Sequence, residues 1–89
     1  MPRVVAIHGV GNMETWLAGG GERAELFKQF SSGYRIYRHP NDNKVAIVWE
    51  NADVQKLESV LTHPVTEKAK AKHTVREPID IYVEVEGGR

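Results

Sequence analysis

His8 is the side chain in this sequence best suited to acid–base work. It closes an otherwise apolar run, Val4-Val5-Ala6-Ile7, and an imidazole titrates near neutrality. At the rim of a buried strand it would take a proton from a phenol or an enol. The competing role is structural: a histidine bonded to backbone where a helix begins. Trp16 and Trp49 have the flat faces that wall pockets for aromatic ligands. They equally suit a core short of large residues. Tyr37 and Tyr82 would offer hydroxyls to a ligand, or line a subunit interface, where tyrosine is common. Arg35 shares a strand face with Tyr37 and would grip a substrate carboxylate, or else stand solvated at a sheet edge. Arg38 points to the other face.

Other chemistries lack their residues. The chain has no cysteine, which removes thiolate nucleophiles, disulfides and thiolate metal sites. His39, His63 and His73 fall at expected element ends without metal-site spacing and read as exposed loop histidines. No metal and no cofactor site is expected. Gly9-Val10-Gly11 lacks the third glycine of a dinucleotide fingerprint, and no Lys-Ser or Lys-Thr pair follows the triplet Gly19, Gly20, Gly21. Twelve Lys/Arg balance twelve Asp/Glu, so there is no basic excess to attract nucleic acid or an anionic membrane. Lys68, Lys70 and Lys72 are offset by Glu58, Glu67 and Glu77 and read as a solvated helix face. No apolar run approaches a membrane span. Residues 1–20 lack a signal peptide's basic start and apolar middle, which makes the cytoplasm the expected compartment.

The elements that would position these groups follow from periodicity. The chain has 89 residues, 40% of them hydrophobic, which suits one domain over 1–89 with a small core. Residues 3–10 form a buried strand. Asn12 is the expected N-cap of a helix from Met13, with Glu14 in its first turn. Met13, Trp16, Leu17, Ala24, Phe27 and Phe30 make its apolar stripe. The glycine triplet either distorts that helix or splits it, because each glycine costs about 1 kcal/mol in a helix interior. It also leaves room over the sheet, to widen a cavity, to let the helix flex, or as a tolerated surface insertion. Residues 34–39 and 44–50 form a hairpin around Pro40-Asn41-Asp42-Asn43. Asp53 caps a helix over 54–61, with Val54, Leu57, Val60 and Leu61 on one face. Thr62-His63-Pro64 stops it, and a further helix runs over 65–72. Glu77-Pro78 breaks the chain before a last strand over 79–86.

The order β-α-β-β-α-β, with the second helical region in two pieces, is the ferredoxin-like split βαβ plan, an α+β fold with a four-stranded antiparallel sheet. Its first and third strands are central, and here both are apolar on two faces. Two helical layers cover only one face of such a sheet. The other face is expected to meet a second copy, sheet to sheet, in a homodimer.

The stretch His8-Gly9-Val10-Gly11-Asn12-Met13-Glu14-Thr15-Trp16 resembles the start of small dimeric α/β-barrel proteins of the antibiotic-biosynthesis-monooxygenase superfamily, which includes cyclase-like members. The family pattern is a strand ending in His-x-Val, then an acidic residue and a Trp in the first helical turns. Gly33 before the second strand, the Asn41-Asp42-Asn43 turn, Trp49-Glu50, His63-Pro64 and Pro78 are also similar. Asn12 stands where an acidic residue is usual, the glycine triplet replaces a continuous helix, and Lys72-His73-Thr74-Val75 replaces an Ala-Gly-Val ending.

The resemblance implies a ferredoxin-like subunit pairing into an α/β barrel, with a ligand cavity between sheet and helices. Family chemistry spans cofactor-free oxygenation, haem breakdown, dechlorination, decarboxylation and cyclisation, so fold does not select an activity. The leading expectation is a homodimeric, cofactor-free monooxygenase or cyclase acting on an aromatic or polyketide-like molecule. His8 would be its base, and Trp16, Tyr37, Trp49 and Arg35 would hold the substrate. The alternative is a non-catalytic, stress-related or small-ligand-binding dimer. A cavity of several hundred Å³ reaching His8 would favour the first, and aromatic side chains filling that space the second.

Overall fold

A computed structural model describes residues 1–85. Eight elements follow in order: β1 (Val4–Val10), α1 (Met13–Ala18), α2 (Gly20–Phe27), β2 (Gly33–Arg38), β3 (Lys44–Glu50), α3 (Val54–Thr62), α4 (Pro64–Lys72) and β4 (Val75–Val83). The strands form one antiparallel sheet in the order β2-β3-β1-β4. This is the ferredoxin-like arrangement, with the two apolar strands at its centre.

Local chemistry sets the helix boundaries. Asn12 Oδ1 accepts from the Thr15 amide at 3.0 Å, and Asp53 Oδ1 from the Lys56 amide at 3.1 Å, each satisfying a donor that a helix N-terminus leaves free. His63 Nδ1 accepts from the Val65 amide at 3.1 Å, and Pro64 occupies the first turn of α4, where its missing N–H costs nothing. The glycine triplet splits the first helical region: α1 ends at Ala18 and α2 begins at Gly20.

The helices lie over one face of the sheet. Val4, Ala6, Val10, Val45, Ile47 and Trp49 meet Met13, Trp16, Phe27, Leu57 and Val60 in a single core. Strand register assigns the faces. Val5, Ile7, Ala46 and Val48 point the other way, beside Arg35 and Tyr37 on β2 and Tyr82 on β4. No element of the described chain covers them.

Three expectations need correcting. The last strand starts at Val75, not at 79, and runs through Pro78. The β1–β4 register shifts between Ile7 and Gly9, so Pro78 sits in an edge strand beside a bulge, where proline is tolerated. Glu86, assigned from sequence to that strand, lies outside the described residues. In the first helical region the inward positions are Met13, Trp16, Arg23 and Phe27, whereas Leu17 is 47% exposed. His73 is not an exposed loop histidine but is buried, while His39 and His63 are exposed. Among the described residues no helix is long and apolar enough to cross a membrane.

Candidate functional site

His8 lies on the helix-facing side of β1, opposite Val45 on β3, and is 6% exposed. On the β4 side the register shift leaves it without a ladder partner, while the regular alternation of β1 keeps its side chain on the face of Ala6 and Val10. Its Nδ1 is 2.8 Å from the Gly9 carbonyl. A carbonyl only accepts, so Nδ1 carries the proton and Nε2 keeps its lone pair. Nε2 has no hydrogen-bond partner among the described residues. Burial lowers the His8 pKa below the usual histidine value. The Gly9 carbonyl partly opposes this, nearby Arg23 and Lys70 reinforce it, and Glu77 opposes it. His8 is therefore a neutral base at pH 7.

The Asn12 cap starts a helical turn that brings Trp16 edge-on to His8, ring centres 5.9 Å apart at 66°. Trp16 is buried, and the Arg23 guanidinium lies over its ring at 3.6 Å, a cation–π arrangement. Arg23 also donates a hydrogen bond from Nη2 to the Trp16 carbonyl. The reason is the break at Gly19. Trp16 is near the end of α1, where its carbonyl accepts from the Gly19 amide at 3.1 Å, and Arg23 on α2 reaches back to add a second bond.

Trp49, on β3, is held edge-to-face by Phe27 and Phe30 at 5.1 and 5.2 Å. Its Nε1 is buried and donates to no group among the described residues. His73, just beyond α4, places Nε2 3.3 Å from a Glu22 carboxylate oxygen. Lys70 on α4 lies between Glu67 (2.9 Å) and Glu77 (3.5 Å).

These side chains border a cavity of about 60 Å³ between sheet and helices, lined by His8, Trp16, Arg23, Trp49, Thr66, Lys70 and His73 together with apolar neighbours. By volume it holds a few waters and falls well short of the several hundred Å³ usual for drug-sized ligands. Its walls are largely apolar; Lys70 and His73 are paired with carboxylates, and among the described residues the polar groups left without such a partner include Arg23, the Trp49 indole and His8. Among the described residues no three His, Asp or Glu side chains are grouped to hold a metal.

Of the residues singled out in the sequence, His8, Trp16 and Trp49 meet at this cavity. Arg35 and Tyr37 do not: they pair with Val48 and Ala46 on the opposite face of the sheet. Arg23, Thr66, Lys70 and His73 were not picked out as site residues. Arg23 carried a readable signal, since it stands seven residues after Trp16 and four before Phe27, in phase with the buried stripe. The room left by the glycine triplet is not extra cavity. A Cβ on Gly19 would lie 2.5 Å from His73 Nε2, so the His73 ring already fills it, whereas Gly20 and Gly21 have open space around them.

No family model and no curated protein sequence matches the chain. Solved structures do. The cofactor-independent oxygenase SnoaB from Streptomyces nogalater superposes with a TM-score of 0.63 at 12% identity, over 91% of this chain and 89% of that one. An antibiotic biosynthesis monooxygenase matches with a TM-score of 0.60 at 13% identity, covering 93% of this chain and 95% of its own. The protein Atu4242 from Agrobacterium tumefaciens gives 0.61 at 13% identity, over 99% and 97% of the two chains. The chain thus has the ferredoxin-like fold of antibiotic biosynthesis monooxygenase-like proteins across nearly its whole length.

Proposed function

We propose that the chain is a small homodimeric enzyme of the cofactor-independent oxygenase or cyclase type, in which His8 removes a proton from a substrate held between sheet and helices. The observation that carries this is the state of His8: buried, held in one tautomer by the Gly9 carbonyl, lining the cavity, and with no hydrogen-bond partner on Nε2 among the described residues. A neutral imidazole beside apolar walls is a poised general base. Abstraction of an acidic C–H or O–H proton converts His8 to imidazolium and leaves the electron pair on the substrate as an enolate or phenolate. That anion then reacts with dioxygen or closes a ring. The fold shared with SnoaB supports chemistry that needs no cofactor.

The cavity limits the substrate. An aromatic or polyketide-like molecule exceeds 60 Å³, so admitting one requires the helices to move away from the sheet. The dimer is supported by the uncovered face, where Val5, Ile7, Ala46 and Val48 form an apolar centre flanked by Tyr37 and Tyr82. A second copy turned about a two-fold axis would bury it. Arg35 and Tyr37 then belong to that interface rather than to the cavity.

Proton abstraction is measurable without knowing the later step. Enolisable ketones and electron-rich phenols, incubated in D₂O and followed by NMR, should exchange their activated C–H hydrogens faster with the protein, and this acceleration should vanish in His8→Ala. Acceleration unchanged in that variant removes His8 from the mechanism. The small cavity favours a second reading, a ligand-binding dimer without turnover, which predicts ligand binding and no accelerated exchange.

A further inference from the structure

The cavity contains a positive charge that no carboxylate among the described residues neutralises. Arg23 is only 6% exposed, yet no carboxylate among the described residues lies within ion-pair distance of it. Its sequence neighbour Glu22 is committed elsewhere, 3.4 Å from Lys72 Nζ and 3.3 Å from His73 Nε2. Arg23 stacks on Trp16 and gives Nη2 to the Trp16 carbonyl. Nη2 is its one nitrogen that donates to a group among the described residues, and Nε and Nη1 are not sealed from solvent. Buried guanidinium groups are normally paired, because desolvating a charge without a counter-ion is costly.

One donor at the same cavity is fully buried and unsatisfied. Trp49 is 1% exposed and its Nε1 has no acceptor among the described residues, although buried polar atoms nearly always find one. Trp49 brings a buried donor without an acceptor and Arg23 a charge without a carboxylate partner among the described residues, and one acceptor bearing negative charge would answer both. The count of charges narrows it further. Lys70 is already held between Glu67 and Glu77, which leaves Arg23 as the one unpaired cation lining the cavity among the described residues. A single negative charge matches it, and a doubly charged phosphate does not. The free edge of a guanidinium suits the two oxygens of a carboxylate.

We infer that the cavity binds a singly charged oxyanion, the carboxylate or enolate of its ligand, with Arg23 supplying the opposite charge and Trp49 Nε1 a hydrogen bond. This rests on the cavity being the ligand site proposed above, and it adds the charge that the ligand carries. It also gives the enzyme a means of stabilising its product. When His8 takes a proton next to a carbonyl, the electron pair moves onto the carbonyl oxygen, and preorganised donors stabilise the charge that develops there.

The two tryptophans of the chain, Trp16 and Trp49, both border the cavity, so intrinsic fluorescence reports its occupancy. Wild-type protein is titrated with acetate, with propionate, with the neutral isostere acetamide, and with chloride at matched ionic strength. Acetate or propionate should change the emission saturably and raise the melting temperature, while acetamide and chloride should do neither. Arg23→Met should weaken acetate binding by roughly tenfold or more, the usual weight of a charged hydrogen bond, and Arg23→Lys should retain part of it. Equal responses to acetate and acetamide, no response of the wild type to either carboxylate, or undiminished binding by Arg23→Met would each overturn the inference. Should Arg23→Met not fold, the comparison of acetate with acetamide on the wild type still decides. Carboxylate binding without accelerated proton exchange sinks the catalytic proposal alone, and accelerated exchange without preference for anions sinks this inference alone.

Discussion

Gly19 faces the ring of His73 so closely that a methyl group on it would lie 2.5 Å from Nε2. The backbone there has φ −82°, a conformation open to any residue, so this glycine is needed for space and not for backbone freedom. The contact ties the α1–α2 junction to the end of α4 and closes one side of the cavity. Gly19→Ala should therefore destabilise the protein by about 1–3 kcal/mol, the usual cost of overpacking. Alanine's helix preference will not offset this fully at a junction between helices. In a His73→Ala background the same change should cost much less. A double-mutant cycle read from urea midpoints checks this, and additive losses would refute the contact.

His8 makes stability depend on pH in a definite direction. Its folded pKa is lowered, chiefly by burial, while the unfolded value is about 6.5. Between the two the unfolded state binds the extra proton, so stability is complete above the unfolded value and is lost as pH falls through it toward the folded one. Urea unfolding of wild type and His8→Gln from pH 8 to pH 5 should show a fall in the wild type that is reduced in the variant. Parallel curves would mean that His8 titrates normally.

The uncovered sheet face should hold two copies together. Tyr37 is 51% exposed in the single chain, so Tyr37→Asp leaves the subunit's own core intact. At a two-fold interface the new carboxylate appears twice and unpaired. Burying such a charge costs several kcal/mol, enough to weaken a dimer roughly 100-fold or more. Sedimentation should give a wild-type dimer and a Tyr37→Asp monomer at micromolar concentration. A wild-type monomer, or an unaffected variant dimer, would contradict the interface.

Asn12 positions Trp16 through a short helix, since α1 has six residues and one side-chain cap. Asn12→Ala should cost about 1 kcal/mol and should loosen Trp16 against His8. The measurements are the urea midpoint and the near-ultraviolet circular dichroism of the tryptophans, and an unchanged midpoint would show that the cap is dispensable.

The fold was readable because its signals are local: alternation in β1 and β3, caps at Asn12 and Asp53, turn residues at Pro40-Asn41-Asp42-Asn43. His8, Trp16 and Trp49 were readable as residues of the helix-facing side, where they line the cavity, because each lies on a strand or stripe whose buried phase is unambiguous. Arg35 and Tyr37 were not, since β2 alternates without saying which face meets the helices. Only pairing with Val48 and Ala46 settles that. Arg23 was missed because charge suggests an outward face, although Trp16 and Phe27 fix its phase inward. His73 and Gly19 are 54 positions apart in the sequence, and nothing local links them. Pro78 suggested a chain break because proline removes a ladder donor, a loss that an edge strand beside a bulge tolerates.

The most direct test of the site is ¹⁵N NMR of the His8 imidazole across pH, assigned by comparison with His8→Gln. The expected spectrum at pH 7 is a neutral ring protonated at Nδ1 with an unprotonated Nε2, titrating below the ordinary histidine value. A ring protonated at Nε2, or one titrating at or above that value, would contradict a general base at His8.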